Sequence, residues 1–534
     1  VKELTAKPLS ANGATSTFVR SGGPWKINFY ANANKELAMA VDSGTNRIDL
    51  SKVNPVTAVF KDTTVAKVKE FFAKYKADPR SAGTPPESAQ LTAFGVKSIP
   101  VVWWKFVACV GFGILMAFAF EILTDYYVSL HKKPVQELGA VATAGPAPMI
   151  ISGFAYGLES SVFNVFAIVA ALIMPLLIFP VSEYGSYILS FYGIALVGLG
   201  LLTTTGFILA MDTFGPISDN AQGVFEMSGA GHTNAEGARR VQLLDAAGNT
   251  TKALTKGFAI ATAVVAAVAL FHAYVEEGHL AGVGMRLEVP EIFLGMLIGG
   301  AAPYLFSAFT IKAVGRAAVQ LIDEVRSQFR NDPGIMAGTS KPDYAKCVAI
   351  VTASAQSELL GPGILAIAFP VIVAFGFSIG KPTTTIAGVE YNLYGAQALG
   401  GFLAGTILSG QLLAVLLANS GGMWDNAKKL IEDGLHGGKG TEAHKAAVVC
   451  DTVGDPFKDT AGPALNPLIK VMNLVALLMV PQVIKPWPTQ VQVGITVAAA
   501  ALLGVAIWWS NRGGLSDMHG DGGNDAPAEA PAEA

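Results

Sequence analysis

The sequence is poor in charge: Asp, Glu, Lys and Arg make up only 14% of its 534 residues, against 51% hydrophobic. That balance excludes an ordinary soluble protein of this length and points to a polytopic membrane protein. The three cysteines, Cys109, Cys347 and Cys450, are scattered without metal-ligand spacing. Neither a disulfide framework nor a zinc site is expected from them; they read as buried or bystander thiols. A net charge of −3, with no basic tract and no aromatic stacking platform, gives no nucleic-acid signal. Walker and Rossmann glycine motifs are missing too, which removes the usual nucleotide-phosphate cradles.

Long apolar runs are what the chain has instead. They lie near 106–123, 147–179, 186–211, 257–275, 291–311, 347–377, 394–418, 460–482 and 489–509, most of them long enough to span a bilayer. The expected fold is an all-α polytopic membrane protein, a bundle of about eight to nine transmembrane helices with a small extramembrane N-terminal α+β module. Loops around 124–146, 212–256, 312–346 and 419–459 hold most of the Lys and Arg between the spans, whereas the alternate loops carry only Arg286, Lys381 and Lys485. By the positive-inside rule the first set is cytoplasmic. The protein is then integral to an inner or plasma membrane, with residues 1–102 outside and the C-terminal tail inside.

Four stretches are expected along the chain. Residues 1–102 form the outer module, with VTAVF at 56–60, an amphipathic run at 65–76 and a Pro/Ser/Gly linker at 78–88. The helix bundle occupies 103–482, an additional transmembrane segment 483–512, and a disordered acidic Ala/Pro tail 513–534. The chain opens at Val1 with no Met and no signal peptide, which reads as processing, truncation or an incomplete reading.

Polar residues recur at helical spacing where four spans meet the cytoplasmic side. Residues 211–227, MDTFGPISDNAQGVFEM, put Asp219 and Glu226 seven apart on one helical face, or simply make a solvated helix end. Asp245, Asn249, Lys252 and Lys256 form one stripe of a helix entering the membrane, better suited to a cation or phosphate site than to snorkelling alone. Asp425, Lys428, Lys429 and Glu432 by themselves make a salt-laced surface helix. In HKAAVVCDTVGDPFKDTAGPALNPLIK, 444–470, Asp451, Asp455, Lys458 and Asp459 stand at the mouth of an apolar span, with Asn466 and Lys470 inside it. On a continuous helix Asp459 to Lys470 covers about 16 Å, although Pro456, Pro463 and Pro467 invite kinks.

Three further charges need a reading. Glu159 is an intramembrane carboxylate suited either to ion passage or to an interface, and Glu358 either to ion passage or to a local hydrogen bond. Arg316 reads as a positive anchor on a solvated helix.

Carboxylates that converge repel one another, so they imply bound hard cations such as Mg²⁺, and interleaved lysines imply a polyanion. A small phosphate compound carrying Mg²⁺ meets both requirements, and inorganic pyrophosphate fits.

The stretches DTFGPISDNAQGVFEM, LDAAGNTTKALTKGFAI, GGMWDNAKKLIEDG and the 444–470 motif, with EVRSQF and GIMAGTSKPDY between them, resemble the membrane-integral ion-pumping pyrophosphatases over roughly residues 106–482. The resemblance implies homodimers of sixteen-span subunits that couple Mg-dependent pyrophosphate hydrolysis, on the cytosolic side, to ion transfer. It implies Mg-pyrophosphate ligands at Asp219, Asn249, Asp425, Lys428, Asp451, Asp455, Lys458 and Asp459, and an ion-gate lysine at Lys470. Lys252 and Thr255 occupy the positions that mark K⁺-independent, hence H⁺-pumping, members; a tethered ammonium at Lys252 can stand where K⁺ would bind. The family's first-half motifs, of DxGxDLVGKVE and DNVGDNVGD type, are missing, so the resemblance implies about half an active site and a possible partner in a separate N-terminal half. A non-catalytic half-subunit or a secondary cation transporter without hydrolysis are the rival readings.

Overall fold

The computed structural model describes the backbone of residues 16–19, 25–31, 37–43 and 58–59, and residues 101–184, 187–228, 233–386 and 388–512. The chain divides into two units, 1–108 with 175–193, and 109–174 with 194–534. In the first, strands β1 (Ser16–Val19), β2 (Trp25–Ala31), β3 (Leu37–Ser43) and β4 (Ala58–Val59) form an antiparallel sheet in chain order. The alternation WKINFYA carries the period of two that strands require, and β2 pairs with β3 from Trp25↔Ser43 to Ala31↔Leu37. The amphipathic run 65–76, the linker 78–88 and the tail 513–534 lie outside the described residues. Lys105 of this unit donates to the Tyr184 hydroxyl at 2.8 Å and pairs with Glu183 at 3.5 Å.

The rest is helical. In order come α1 (Trp103–Val128), α2 (Lys133–Val141), α3 (Pro146–Ile178), α4 (Ile188–Leu201), α5 (Thr205–Met227), α6 (Ala235–Glu277), α7 (Pro290–Asn331), α8 (Tyr344–Glu358) and α9 (Leu360–Gly376). After the hairpin β5 (Thr384–Ile386) and β6 (Val389–Tyr391) follow α10 (Tyr394–Glu432), α11 (Glu442–Asp455), a π-helical turn (Pro456–Ala461), α12 (Gly462–Val483) and α13 (Thr489–Asn511). Among the described residues nine helical segments are long and apolar enough to cross a membrane, and they coincide with the nine apolar runs of the sequence. The protein is an all-α, multi-pass integral membrane protein.

Local chemistry sets the helix ends. The Asn234 side chain accepts from Gly237 N at 2.8 Å and starts α6, and Thr441 Oγ1 accepts from His444 N at 3.2 Å and starts α11. Gly434, at φ 113°, stops α10 in the left-handed region that side chains avoid.

Helix α10 is the centre of the second unit. Its apolar residues run all the way round, so it is buried around most of its circumference rather than along one stripe. Leu399, Phe402 and Leu403 pack with Phe306, Leu365, Leu465 and Met472 in one core cluster. Trp424, Tyr127 and Met149 anchor another, where Trp424 Nε1 donates to Met149 O at 3.1 Å. The Asp425–Glu432 stretch of α10, whose spacing by itself would suit a surface helix, is covered by α11 on one side and by α6 and α2 on others.

Arg316 is likewise no solvated anchor. It is 8% exposed and grips Glu358 with two hydrogen bonds, at 2.8 and 2.5 Å, while Nη1 donates to Ser510 O at 2.7 Å. Glu358 therefore has a local partner. So does Glu159, which accepts from the Tyr127 hydroxyl at 2.9 Å. Cys109 and Cys450 are buried and Cys347 half-buried, all three as free thiols.

Candidate active site

The α10–α11 hairpin does most of the placing. Its connection turns through left-handed residues at Gly434, His436, Gly437, Gly438 and Gly440, and returns α11 antiparallel against α10. The two backbones approach closely at Gly421 and Gly454. A Cβ on Gly421 would stand 2.6 Å from Gly454 O and 2.7 Å from Lys458 Cβ, so only glycine permits this approach. The π-helical turn follows directly, a form of helix that often marks functional segments, and carries Lys458 and Asp459.

Lys458 is thereby brought opposite α10. Its ammonium donates to Asp425 Oδ2 at 2.6 Å and Asp451 Oδ1 at 2.9 Å, and pairs with Asp455 Oδ1 at 2.8 Å. Lys428, one turn along from Asp425, binds Asp451 Oδ2 and stands 3.4 Å from Asp425 Oδ1. Two lysines and two aspartates thus alternate in sign around one patch, with Asp455 attached. Lys458 and Asp425 are almost wholly buried, whereas the Asp455 side chain is 52% exposed.

Helices α5 and α6 add a second group. Lys252 donates to Asp219 Oδ2 at 3.1 Å and Asn249 Oδ1 at 3.4 Å. Thr255 Oγ1 donates to Asp212 Oδ1 at 2.9 Å. Lys256 ties this group to the first, binding the Lys458 carbonyl and donating to Asp459 Oδ1 at 3.0 Å. Asp219 and Glu226 share α5 but take different partners, since Glu226 accepts from Gln222 at 2.9 Å and Lys439 at 2.7 Å. Asp219, Asn249, Lys252, Thr255, Asp425, Lys428, Asp451, Asp455, Lys458 and Asp459 therefore lie in two ion-paired groups joined by Lys256. Lys470 stands apart, half-buried on α12 with no hydrogen bond or ion pair among the described residues, and Asn466 is half-buried one turn before it.

Sequence reasoning placed Asp245 in the α6 stripe and Lys429 in the α10 motif, but gave neither a role of its own and did not pair them. They form a buried ion pair between α6 and α10, and Lys429 also donates to Gln222 Oε1 at 3.5 Å. Their spacing to Asn249 and Lys428 was the available signal, but neither helix announces its partner.

Among the described residues no three His, Cys, Asp or Glu side chains are grouped to hold a metal ion. Asp219, Asp425, Asp451, Asp455 and Asp459 each lean on a lysine instead. The donor set still fits Mg²⁺ in kind, because carboxylates are the hard oxygen ligands it takes. One deeply buried oxygen, Asp425 Oδ1, is also left without a hydrogen bond.

The family model described as Inorganic H+ pyrophosphatase matches residues 44–479. The chain belongs to the inorganic H⁺ pyrophosphatase family. The match starts at residue 44, inside the stretch expected to form the N-terminal module. Relatives include the "K(+)-insensitive pyrophosphate-energized proton pump" of Chloroflexus aurantiacus, 48% identical over 77% of this chain and 52% of the relative. The protein of that name from Streptomyces coelicolor is 45% identical over 79% of this chain and 53% of the relative. "Pyrophosphate-energized membrane proton pump 3" of Arabidopsis thaliana is 42% identical over 72% and 48%. The chain spans about half the length of the curated relatives it matches. The two ion-paired groups lie within the part of the chain that the H⁺ pyrophosphatase model covers.

Proposed function

We propose that this chain supplies one half of a pyrophosphate-energised proton pump, in which hydrolysis of Mg-pyrophosphate on the cytosolic side drives H⁺ outward. The observation that carries the reading is the Lys458 centre, a buried ammonium among Asp425, Asp451 and Asp455 with Lys428 alongside. Burying so many charges is costly unless they are paired. The present pairing suits a site that exchanges internal partners for a metal-bearing polyanion. The names of the relatives support the choice of pyrophosphate and of K⁺ independence, the latter together with Lys252 at its contact with Asp219 and Asn249.

In this reading Lys428, Lys458 and Asn249 bind phosphoryl oxygens, and Asp219, Asp425, Asp451, Asp455 and Asp459 hold Mg²⁺. When bound, that ion neutralises the charge that builds on the phosphoryl oxygens. Water forms a bond to one phosphorus while the bridging P–O bond breaks. Its proton passes to a carboxylate, and two phosphates result. Lys256, held to the backbone of Lys458, transmits the change along the π-helical turn to α12, where Lys470 moves the transported proton. The remaining ligands and the acidic partner of Lys470 belong to the other half of the family's architecture, in a homodimer, on the same chain or a separate one.

Asp451→Asn tests the reading in the full assembly. It is expected to abolish Mg-dependent phosphate release from pyrophosphate, and wild-type turnover in that variant would count against the assignment.

A further inference from the structure

Two adjacent lysines of α10 point to different carboxylates. Lys428 turns to Asp451, and Lys429, about 100° further round the helix, turns to Asp245 of α6. Asp245 is 0% exposed and Lys429 7%. Lys429 also contacts Gln222 Oε1 of α5 at 3.5 Å and Glu432 Oε2 at 3.9 Å, and Glu432 in turn faces His444 Nε2 at 3.2 Å. Neither Asp245 oxygen has a hydrogen bond beyond this ion pair. A neighbouring contact crosses the same helix pair: Asn426 Nδ2 donates to Thr250 Oγ1 at 3.3 Å. Asp245 is one turn before Asn249 on α6, and Lys429 follows Lys428 directly on α10. The buried ion pair thus joins the two helices immediately beside the side chains that each contributes to the site.

We propose that the Asp245–Lys429 ion pair is a positioning clamp that fixes the separation between the α6 group, Asn249 and Lys252, and the α10 group, Asp425 and Lys428, so that one ligand can reach both. Neither residue touches the ligand; they act through their neighbours. The two charges depend on each other, because removing one leaves the other buried and unpaired, whereas removing both does not. The ligand side of this inference rests on the proposed function, but the helix separation does not.

The test uses the full chain. The double variant Asp245→Asn with Lys429→Met is compared with wild type in two measurements. One is the rate at which T250C/N426C forms a disulfide under an added oxidant, without ligand. The other is the rise in thermal midpoint on adding Mg²⁺ and pyrophosphate. The double variant is expected to keep its ligand-free midpoint, to cross-link about tenfold more slowly, and to need about tenfold more Mg-pyrophosphate for the same rise. Unchanged cross-linking overturns the clamp whatever the ligand does. Slower cross-linking with unchanged ligand response also overturns it, since the pair would then only hold helices together. If wild type itself does not respond to Mg-pyrophosphate but cross-linking slows, the helix clamp stands and the proposed function falls. Should the double variant not fold, Asp245→Glu keeps the charge and shifts the carboxylate by one methylene. The same two measurements then decide: a weakened ligand response with the ligand-free midpoint held supports the clamp, and an unchanged one overturns it.

Discussion

The Lys458 ammonium donates hydrogen bonds to Asp425 and Asp451 and forms an ion pair with Asp455. Lys458→Met would leave those carboxylates facing one another with Lys428 as their nearest cation. The expected result is a loss of about 3–5 kcal/mol in stability, read as a lower thermal midpoint of the detergent-solubilised chain. Arg316 makes a matching case away from the site. Arg316→Met strands the Glu358 carboxylate and should cost about 3 kcal/mol, and adding Glu358→Leu should recover most of it. If the double variant is no more stable than the single one, the pair is not what holds α7 to α8. Lysine and aspartate spacing made much of the candidate site legible at this scale: Asp451, Asp455 and Lys458 fall on one helical face in the sequence and around one ammonium in space. The partners across helices were not legible. Neither Arg316 to Glu358 nor Lys429 to Asp245 shows in a periodicity, because periodicity reports which face a side chain occupies and not what faces it.

Among elements, α10 and the hairpin it makes with α11 decide the geometry. The Gly421–Gly454 contact brings their backbones close enough for Lys458 to reach Asp425. Gly421→Val therefore adds side-chain atoms where the α11 backbone already stands. It is expected to destabilise the chain by about 1–3 kcal/mol and to abolish Mg-pyrophosphate binding, checked by thermal unfolding with and without the ligand. A variant that stays stable and binds normally would show that the close approach is not needed. In the same element Asp425, Lys428, Lys429 and Glu432 fall at the spacing of a surface ladder, yet this end of α10 is largely buried and its charges pair inward with α11 and α6. The π-helical turn was invisible for a similar reason. Pro456 and Pro463 announce a disturbed helix, but not that the disturbance is a wider turn from Pro456 to Ala461.

For the whole molecule, the apolar runs coincide with the nine helical segments that, among the described residues, are long and apolar enough to cross a membrane, since in lipid the backbone must satisfy itself within each helix and the apolar run is then the signal. The family followed from long ordered motifs at the helix ends. What joins them is spatial: α5, α6, α10 and α11 each deliver charged groups to the same end of the bundle, linked by Lys252, Lys256, Lys428 and Lys458. If these groups form one site for a metal-bearing diphosphate, an experimental structure of the complete assembly with Mg²⁺ and a non-hydrolysable diphosphate analogue will show the analogue between Lys428 and Lys458, with metal ions on Asp425, Asp451 and Asp455. Density for the analogue elsewhere, with the lysine–aspartate pairs unbroken, would contradict it.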